Sequence, residues 1–316
     1  MKLAFLGNCQ LANVGNLFAR MAAAKFIDAE IVWTKPVFEL KNDDYLPLFQ
    51  ALDRADAIYI QYHDAYHGMY ATNHLSKYFD LRIVPTLESF VSAPQMASWN
   101  DRTPIPYHMD FVDFRILEMH RQKIDVRRAA EIYAEVELNG EIVQALIAQS
   151  IYKYNDKFER GQVRFNYAPE YRAAMQTDLE SYFTINHPTN RHLEWLTNQI
   201  LADAGFQQRL TLKGMPELLG QFVAPSLRND SRKGRYIINA VPMSLLTAIK
   251  MYYAYFDTLD PKFLEAEYHR SMYHAIRGGG PKPEFAVMAQ NLFAVTARNH
   301  SAESSQETSD NLVITA

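Results

Sequence analysis

Four short apolar runs between Leu3 and Val84 constrain the fold more than any other feature of this chain. Leu3–Leu6, Ile31–Thr34, Ala57–Ile60 and Leu81–Val84 each have the length of a buried strand. Between them, residues 11–23 carry Leu11, Val14, Leu17, Phe18 and Met21 at helical spacing, residues 45–54 read as a second helix, and 69–79 as a third. Strands that alternate with helices need crossover connections, which predicts a parallel sheet. The expected class is α/β, with a short parallel sheet and crossover helices in the N-terminal part and a largely helical part after it, from about 111 to 275. Phe183-Thr184-Ile185 is a further strand or a loop. Asn186-His187-Pro188-Thr189-Asn190 then leads into an amphipathic helix with Leu193, Leu196, Ile200 and Leu201 on one face and Gly205 at its end. Pro188 suits its first helical position.

This pattern predicts an α/β domain over 1–115, a mainly helical part over 116–280 and an extended tail over 281–316. The stretch from Ser301 to Asp310 is polar enough to be disordered. Residues 88–110 read as an irregular loop, with Pro94, Pro104 and Pro106 among Ser, Asn and Asp. A loop of that length is functional or a linker.

Lys plus Arg is 32 against 36 for Asp plus Glu, a net charge of −4, which argues against a nucleic-acid partner. The single cysteine, Cys9, excludes an intrachain disulfide framework and any structural zinc site that needs two thiolates, and it fits a reducing compartment. The apolar run at Leu3–Leu6 is too short for a signal peptide, and no segment reaches the roughly 20 apolar residues of a membrane span. A cytoplasmic location is expected. The 19 Tyr and 18 Phe suit a site that stacks on rings or sugars, and equally an aromatic core.

Chemistry concentrates at Gly7-Asn8-Cys9-Gln10, between the first strand and the first helix. Ligands of open parallel sheets bind at the carboxyl ends of the strands, where this turn lies. A cysteine at a helix N-terminus gains thiolate character from the unpaired backbone N–H groups and the helix dipole, and the same groups can hold an oxyanion. Gly7 allows close approach, and Asn8 and Gln10 offer side-chain donors. A base for the thiol is expected from His187, with Asn186 as its orienting group. Gln61, at the end of the third strand, is an oxyanion donor or substrate contact. His63 and His67 stand four residues apart with Asp64 between them, but no glutamate accompanies them, and no metal is expected. Asn42-Asp43-Asp44 resembles an acidic metal-binding triplet and is better read as a helix cap. Gly7, His63, Ser89 and His108 are further expected contacts to substrate or cofactor.

Together, Gly7-Asn8-Cys9-Gln10, Asp56-Ala57-Ile58-Tyr59-Ile60-Gln61, Ile83-Val84-Pro85 and Phe183-Thr184-Ile185-Asn186-His187-Pro188 resemble the WcbI-type polysaccharide biosynthesis family. The resemblance spans residues 3 to 205. It implies acetyl transfer from acetyl-CoA to a sugar hydroxyl of a surface polysaccharide, and hence a small-molecule acyl donor and a sugar acceptor as partners. The turn also resembles that of SGNH or GDSL hydrolases, with Cys9 where they carry serine. The loop Thr86-Leu87-Glu88-Ser89-Phe90 departs from the family pattern, which is richer in Tyr, Gly and His-Pro. Two other readings stand beside this one, a cysteine-dependent esterase or deacetylase and a non-catalytic sugar- or nucleotide-binding protein.

Overall fold

The structure is a computed structural model that describes residues 1–98, 111–135, 140–226, 234–238 and 240–266. The chain forms two compact units, one from Met1–Ser89 with Ser150–Gly220, the other from Phe90–Gln149 with the chain from Gln221 onward.

The first unit is built on four parallel strands, β1 (Lys2–Leu6), β2 (Glu30–Trp33), β3 (Ala57–Gln61) and β4 (Leu81–Val84), in the order β2-β1-β3-β4. Helix α1 (Cys9–Ala23) crosses from β1 to β2 and α2 (Tyr45–Asp53) from β2 to β3. The chain therefore leaves β1 toward one side and returns to β3 on the other. This order creates a topological switch between β1 and β3, where open sheets bind ligands. Leu3 pairs with Ala57 and Leu6 with Ile60, so the two strands end side by side.

Strand β1 is buried on both faces, as a central parallel strand must be. Phe5 meets Phe18 of α1 at 5.0 Å between ring centroids, and Leu11, Val14, Leu17 and Met21 complete the buried stripe of that helix. Ala4 and Leu6 face the other way, into a cluster with Leu48, Leu52, Ile58, Ile60 and Leu75.

The helix expected over 69–79 does not form as one piece. Ala65–Tyr70 makes 3-10 turns broken at Gly68 (φ +56°), and α3 covers only Thr72–Leu75. Two side chains hold this shape. Asp64 caps the first turn through the Tyr66 N–H, and Thr72 Oγ1 accepts the His63 N–H at 2.8 Å, tying the segment to the end of β3.

Helices α4 (Phe114–Arg121), α5 (Val126–Glu135), α6 (Gly140–Glu159), α7 (Ala168–Thr177), α8 (Asn190–Asp203) and α9 (Leu245–Phe256) supply the expected helical region. Gly205 stands just past α8 at φ +84°, as its sequence position implied. Pro188 is not the first helical residue, because Thr189 is the N-cap and Pro188 instead bridges Tyr182. That isolated bridge is all the strand character found next to Phe183-Thr184-Ile185.

The second unit also holds two antiparallel pairs that the helical reading did not expect. Strand β5 (Met96–Ser98) pairs with β6 (Phe111–Asp113), and β7 (Arg235–Ile238) with β8 (Val241–Ser244). Ala240, at φ +62°, turns the second hairpin in a conformation that glycine usually announces. Tyr236 and Ile238 pack there with Ile116, Leu117, Ile132, Ile249 and Phe256. Of the irregular 88–110 segment, residues 99–110 lie outside the described residues, as does the whole 281–316 tail.

Asp203, at the end of α8, binds the sheet to this helix. It accepts from Tyr59 Oη at 2.8 Å, from Arg82 at 2.9 Å and from Arg164. Burial raises its pKa, but Arg164, Tyr59 and Arg82 together hold the carboxyl below its ordinary value. A depressed carboxylate stabilises above about pH 4, and that contribution is lost as pH falls through the folded pKa. Asp203→Asn is expected to lose about 1–3 kcal/mol at neutral pH in urea denaturation. The gap to wild type should close in acid, and an unchanged midpoint at neutral pH would contradict this role.

Candidate active site

The turn after β1 is tightly specified. A Cβ on Gly7 would stand 2.5 Å from Leu11 Cβ and 2.7 Å from Gln61 Oε1, so only glycine fits. Asn8 is the N-cap of α1, and its Oδ1 accepts the Gln10 N–H at 2.8 Å. Among the described residues no acceptor meets Asn8 Nδ2. Cys9 is the first residue of α1 and is partly exposed. It packs against the apolar cluster of Leu17, Leu193, Leu212 and Leu219. Asn13, one helical turn on, donates Nδ2 to the Cys9 carbonyl at 2.8 Å.

Two buried glutamine amides organise everything around this turn. Gln61 Oε1 accepts the Asn8 N–H at 3.0 Å, which spans the switch between β1 and β3. Gln61 Nε2 donates to Gln10 Oε1 at 2.9 Å and toward the Pro85 carbonyl at 3.4 Å. Gln10 Oε1 also accepts the Leu87 N–H at 2.9 Å. Gln10 Nε2 donates to the carbonyls of Leu87 and Asn186, each at 2.7 Å. Both side chains are essentially inaccessible, at 0% and 1% exposure. Their amide groups are therefore engaged within the protein.

The Gln10–Asn186 bond brings the Asn-His-Pro segment to the turn. The segment is a tight loop, closed by the Phe183 N–H donating to the His187 carbonyl at 2.8 Å. Helix α8 starts directly after it. Asn190, its first residue, donates from its backbone N–H to Glu217 at 2.6 Å, and its side chain bonds Pro216 and Leu218. Beneath the loop lies a buried aromatic cage. Tyr167 Oη bonds Tyr182 Oη at 2.7 Å and His192 Nδ1 at 2.5 Å, and Tyr171 Oη bonds Ser89 Oγ at 2.8 Å. Ser89 also donates its N–H to the Ile185 carbonyl at 2.8 Å, so the loop after β4 joins the same assembly. Burial lowers the His187 pKa to about 4, which leaves a neutral imidazole at pH 7.

The structure thus collects Gly7, Asn8, Cys9, Gln10, Gln61, Ser89 and the Asn186–His187 loop. His63 lies two residues beyond Gln61, with its ring 5.2 Å from that of His67, and burial lowers its pKa to about 4. His108 lies outside the described residues. Among the described residues no group of three His, Cys, Asp or Glu is placed to hold a metal ion. Asn42–Asp44 forms a short 3-10 turn in which Asp44 pairs with Lys35 at 2.7 Å. Sequence reasoning missed Asn13, which the i, i+4 spacing from Cys9 could have flagged, and the Tyr167–Tyr182–His192 cage, which no local spacing announces.

The family model described as polysaccharide biosynthesis enzyme WcbI matches residues 2–209. A solved structure of WcbI, described as a novel polysaccharide biosynthesis enzyme, superposes with a TM-score of 0.71 at 14% identity. It covers 92% of this chain and 99% of its own, and the likeness is one of fold. That structure is the native protein without a disulfide bond between coenzyme A and a cysteine. No curated protein matches the chain.

Two outcomes follow for the assembly. Gln10→Ala removes the partner of the Leu87 backbone and the Asn186 carbonyl and leaves Gln61 Nε2 only its long contact to Pro85, and should cost about 2–4 kcal/mol in urea denaturation. A loss under about 0.5 kcal/mol would refute the organising role, since surface changes stay within that range. His63, His187 and His192 have pKa values lowered by burial to about 4, 4 and 3. Between these values and about 6.5 the unfolded chain binds more protons, so stability is complete above about pH 6.5 and falls below it. His63→Leu should flatten that slope by about 1.4 kcal/mol per pH unit, measured as unfolding free energy from pH 6.5 to 4.5.

Proposed function

The chain belongs to the WcbI family of polysaccharide biosynthesis enzymes, whose model spans residues 2–209, and from that premise we propose that it transfers an acetyl group from acetyl-CoA to a sugar hydroxyl. One observation carries the reading. The Gln10 side chain bonds the Asn186 carbonyl, which tethers the His187 loop to the residue next to Cys9. The partly exposed thiol sits at the first turn of α1 and at the switch between β1 and β3, where a thioester can approach it. The solved WcbI structure, described with coenzyme A and one of its cysteines, supports the same donor here.

In the proposed reaction, His187 takes the Cys9 proton and the sulfur attacks the thioester carbonyl. The carbon–sulfur bond to CoA breaks, the acetyl group passes to Cys9, and CoA leaves as the thiol with the proton from His187. The sugar hydroxyl then attacks the acyl-cysteine, again giving its proton to His187, and the Cys9 thiolate departs. A thioester-to-thioester first step is close to isoenergetic. Asn8 Nδ2 and the positive end of the α1 dipole hold the oxyanion. Gln10 and Gln61, engaged within the protein, position the turn and the loop. Asn186 orients His187 through the backbone that Gln10 grips. In sequence the turn resembles an SGNH-like nucleophile turn, with Cys9 where those proteins carry serine.

Intact-mass spectrometry after incubation with acetyl-CoA tests this. Wild type should gain one acetyl group, Cys9→Ala none, and His187→Gln should acylate at least about 100-fold more slowly. Transfer to sugars that persists in Cys9→Ala would replace the covalent step with direct attack by the hydroxyl. Acyl hydrolysis with no transfer would make the protein an esterase. No binding of CoA or acetyl-CoA by calorimetry would refute the donor.

A further inference from the structure

Among its described residues, the second compact unit buries one guanidinium group that makes no side-chain hydrogen bond. Arg115, on the first turn of α4, is 3% exposed, and among the described residues none meets its Nε, Nη1 or Nη2 with a hydrogen-bond acceptor. Its Cζ lies 5.2 Å from the centroid of the Tyr133 ring, which covers the guanidinium face but none of its N–H groups. Burial pushes its pKa down, against the pull of Tyr133 and Asp113.

The neighbouring carboxylate is already saturated. Asp113 Oδ1 accepts the backbone N–H groups of Arg115 and Ile116 at 3.0 and 3.3 Å, and Oδ2 accepts the hydroxyls of Tyr133 and Tyr236 at 2.5 and 2.8 Å. Gln95 shares the cluster and is fully buried. Its Nε2 donates to Tyr133 Oη at 3.1 Å and to the Pro225 carbonyl at 2.7 Å, while its Oε1 has no partner. Buried guanidinium groups are otherwise found paired, because an unpaired charge or donor away from water is strongly destabilising. The five N–H donors form a rigid fork matched to two oxygens of a carboxylate or phosphate.

We propose that Arg115 anchors an anion-binding site in the second unit, taking a phosphate or carboxylate group in bidentate fashion, with Gln95 Oε1 accepting from a hydroxyl of the same ligand. The site does not depend on the acyl-transfer reading. Its ligand class is an organic anion that also carries a hydroxyl, either a phosphorylated cosubstrate or sugar, or a sugar bearing a carboxylate.

Thermal unfolding and calorimetric titration of the full chain with inorganic phosphate and with acetate test it, on wild type, Arg115→Met and Arg115→Lys. One of the two anions should raise the wild-type Tm by at least about 2 °C at saturation. In anion-free buffer Arg115→Met should melt higher than wild type, since a buried charge is gone, and it should lose the response. Arg115→Lys keeps the charge without the fork and should bind at least about tenfold more weakly. Preference for phosphate points to the phosphorylated ligand, and preference for acetate to the carboxylate. No saturable response of wild type to either anion overturns the proposal, whether or not the variants fold. So does an equal response in Arg115→Met.

Discussion

The first unit depends on two glutamine amides buried side by side. Where parallel strands end, the backbone leaves its ladder, and its N–H and C=O groups must find other partners or stay unsatisfied. Gln10 answers this by imitating a peptide group. Its oxygen and nitrogen pair with the N–H and C=O of Leu87, much as a neighbouring strand would. Gln61 then locks Gln10 and the Asn8 N–H in one move. Four segments that share no secondary structure, the β1–α1 turn, the end of β3, the loop after β4 and the Asn-His-Pro loop, are joined through these amides. Each amide is dry, so each bond is strong and each absence costly.

This division of labour shapes the chemistry available. Polar side chains committed to scaffolding are not free to meet a ligand, which applies to Gln10 and Gln61, whereas Cys9 at the start of α1 stays partly exposed. Burial keeps His187 neutral at pH 7, and with His63 and His192 it ties stability to pH in the acid range. The buried cage of Tyr167, Tyr182 and His192 is held by hydrogen bonds between neutral groups, since burial keeps the His192 imidazole uncharged.

The strands were legible because each is a short apolar run, and α1 and α8 were legible because their apolar residues recur at 3.6-residue spacing. The 69–79 segment misled, since Gly68 at φ +56° and the Thr72 bond to His63 break a pattern that periodicity alone would continue. The hairpins of the second unit were hidden for a related reason. Their strands are three and four residues long, and Ala240 makes a turn that glycine would have advertised. Gln61 could be singled out by its place at a strand end. Its hydrogen-bond partners were not, because an amide bonds whatever the fold brings to it. Arg115 drew no attention in the sequence, where an arginine on an amphipathic helix reads as a solvated face.

What the sequence determined by itself is local. The strand–turn–helix that starts the chain, the glycine that only Gly7 can be, and the lone cysteine at a helix N-terminus all follow from spacing, capping and steric limits within a few residues. The tertiary structure decided which distant segment meets the turn. Gln10 and Asn186 are 176 residues apart, and nothing local links them. They meet because closing such a loop costs little more entropy than closing a short one, while leaving buried backbone groups unpaired costs far more.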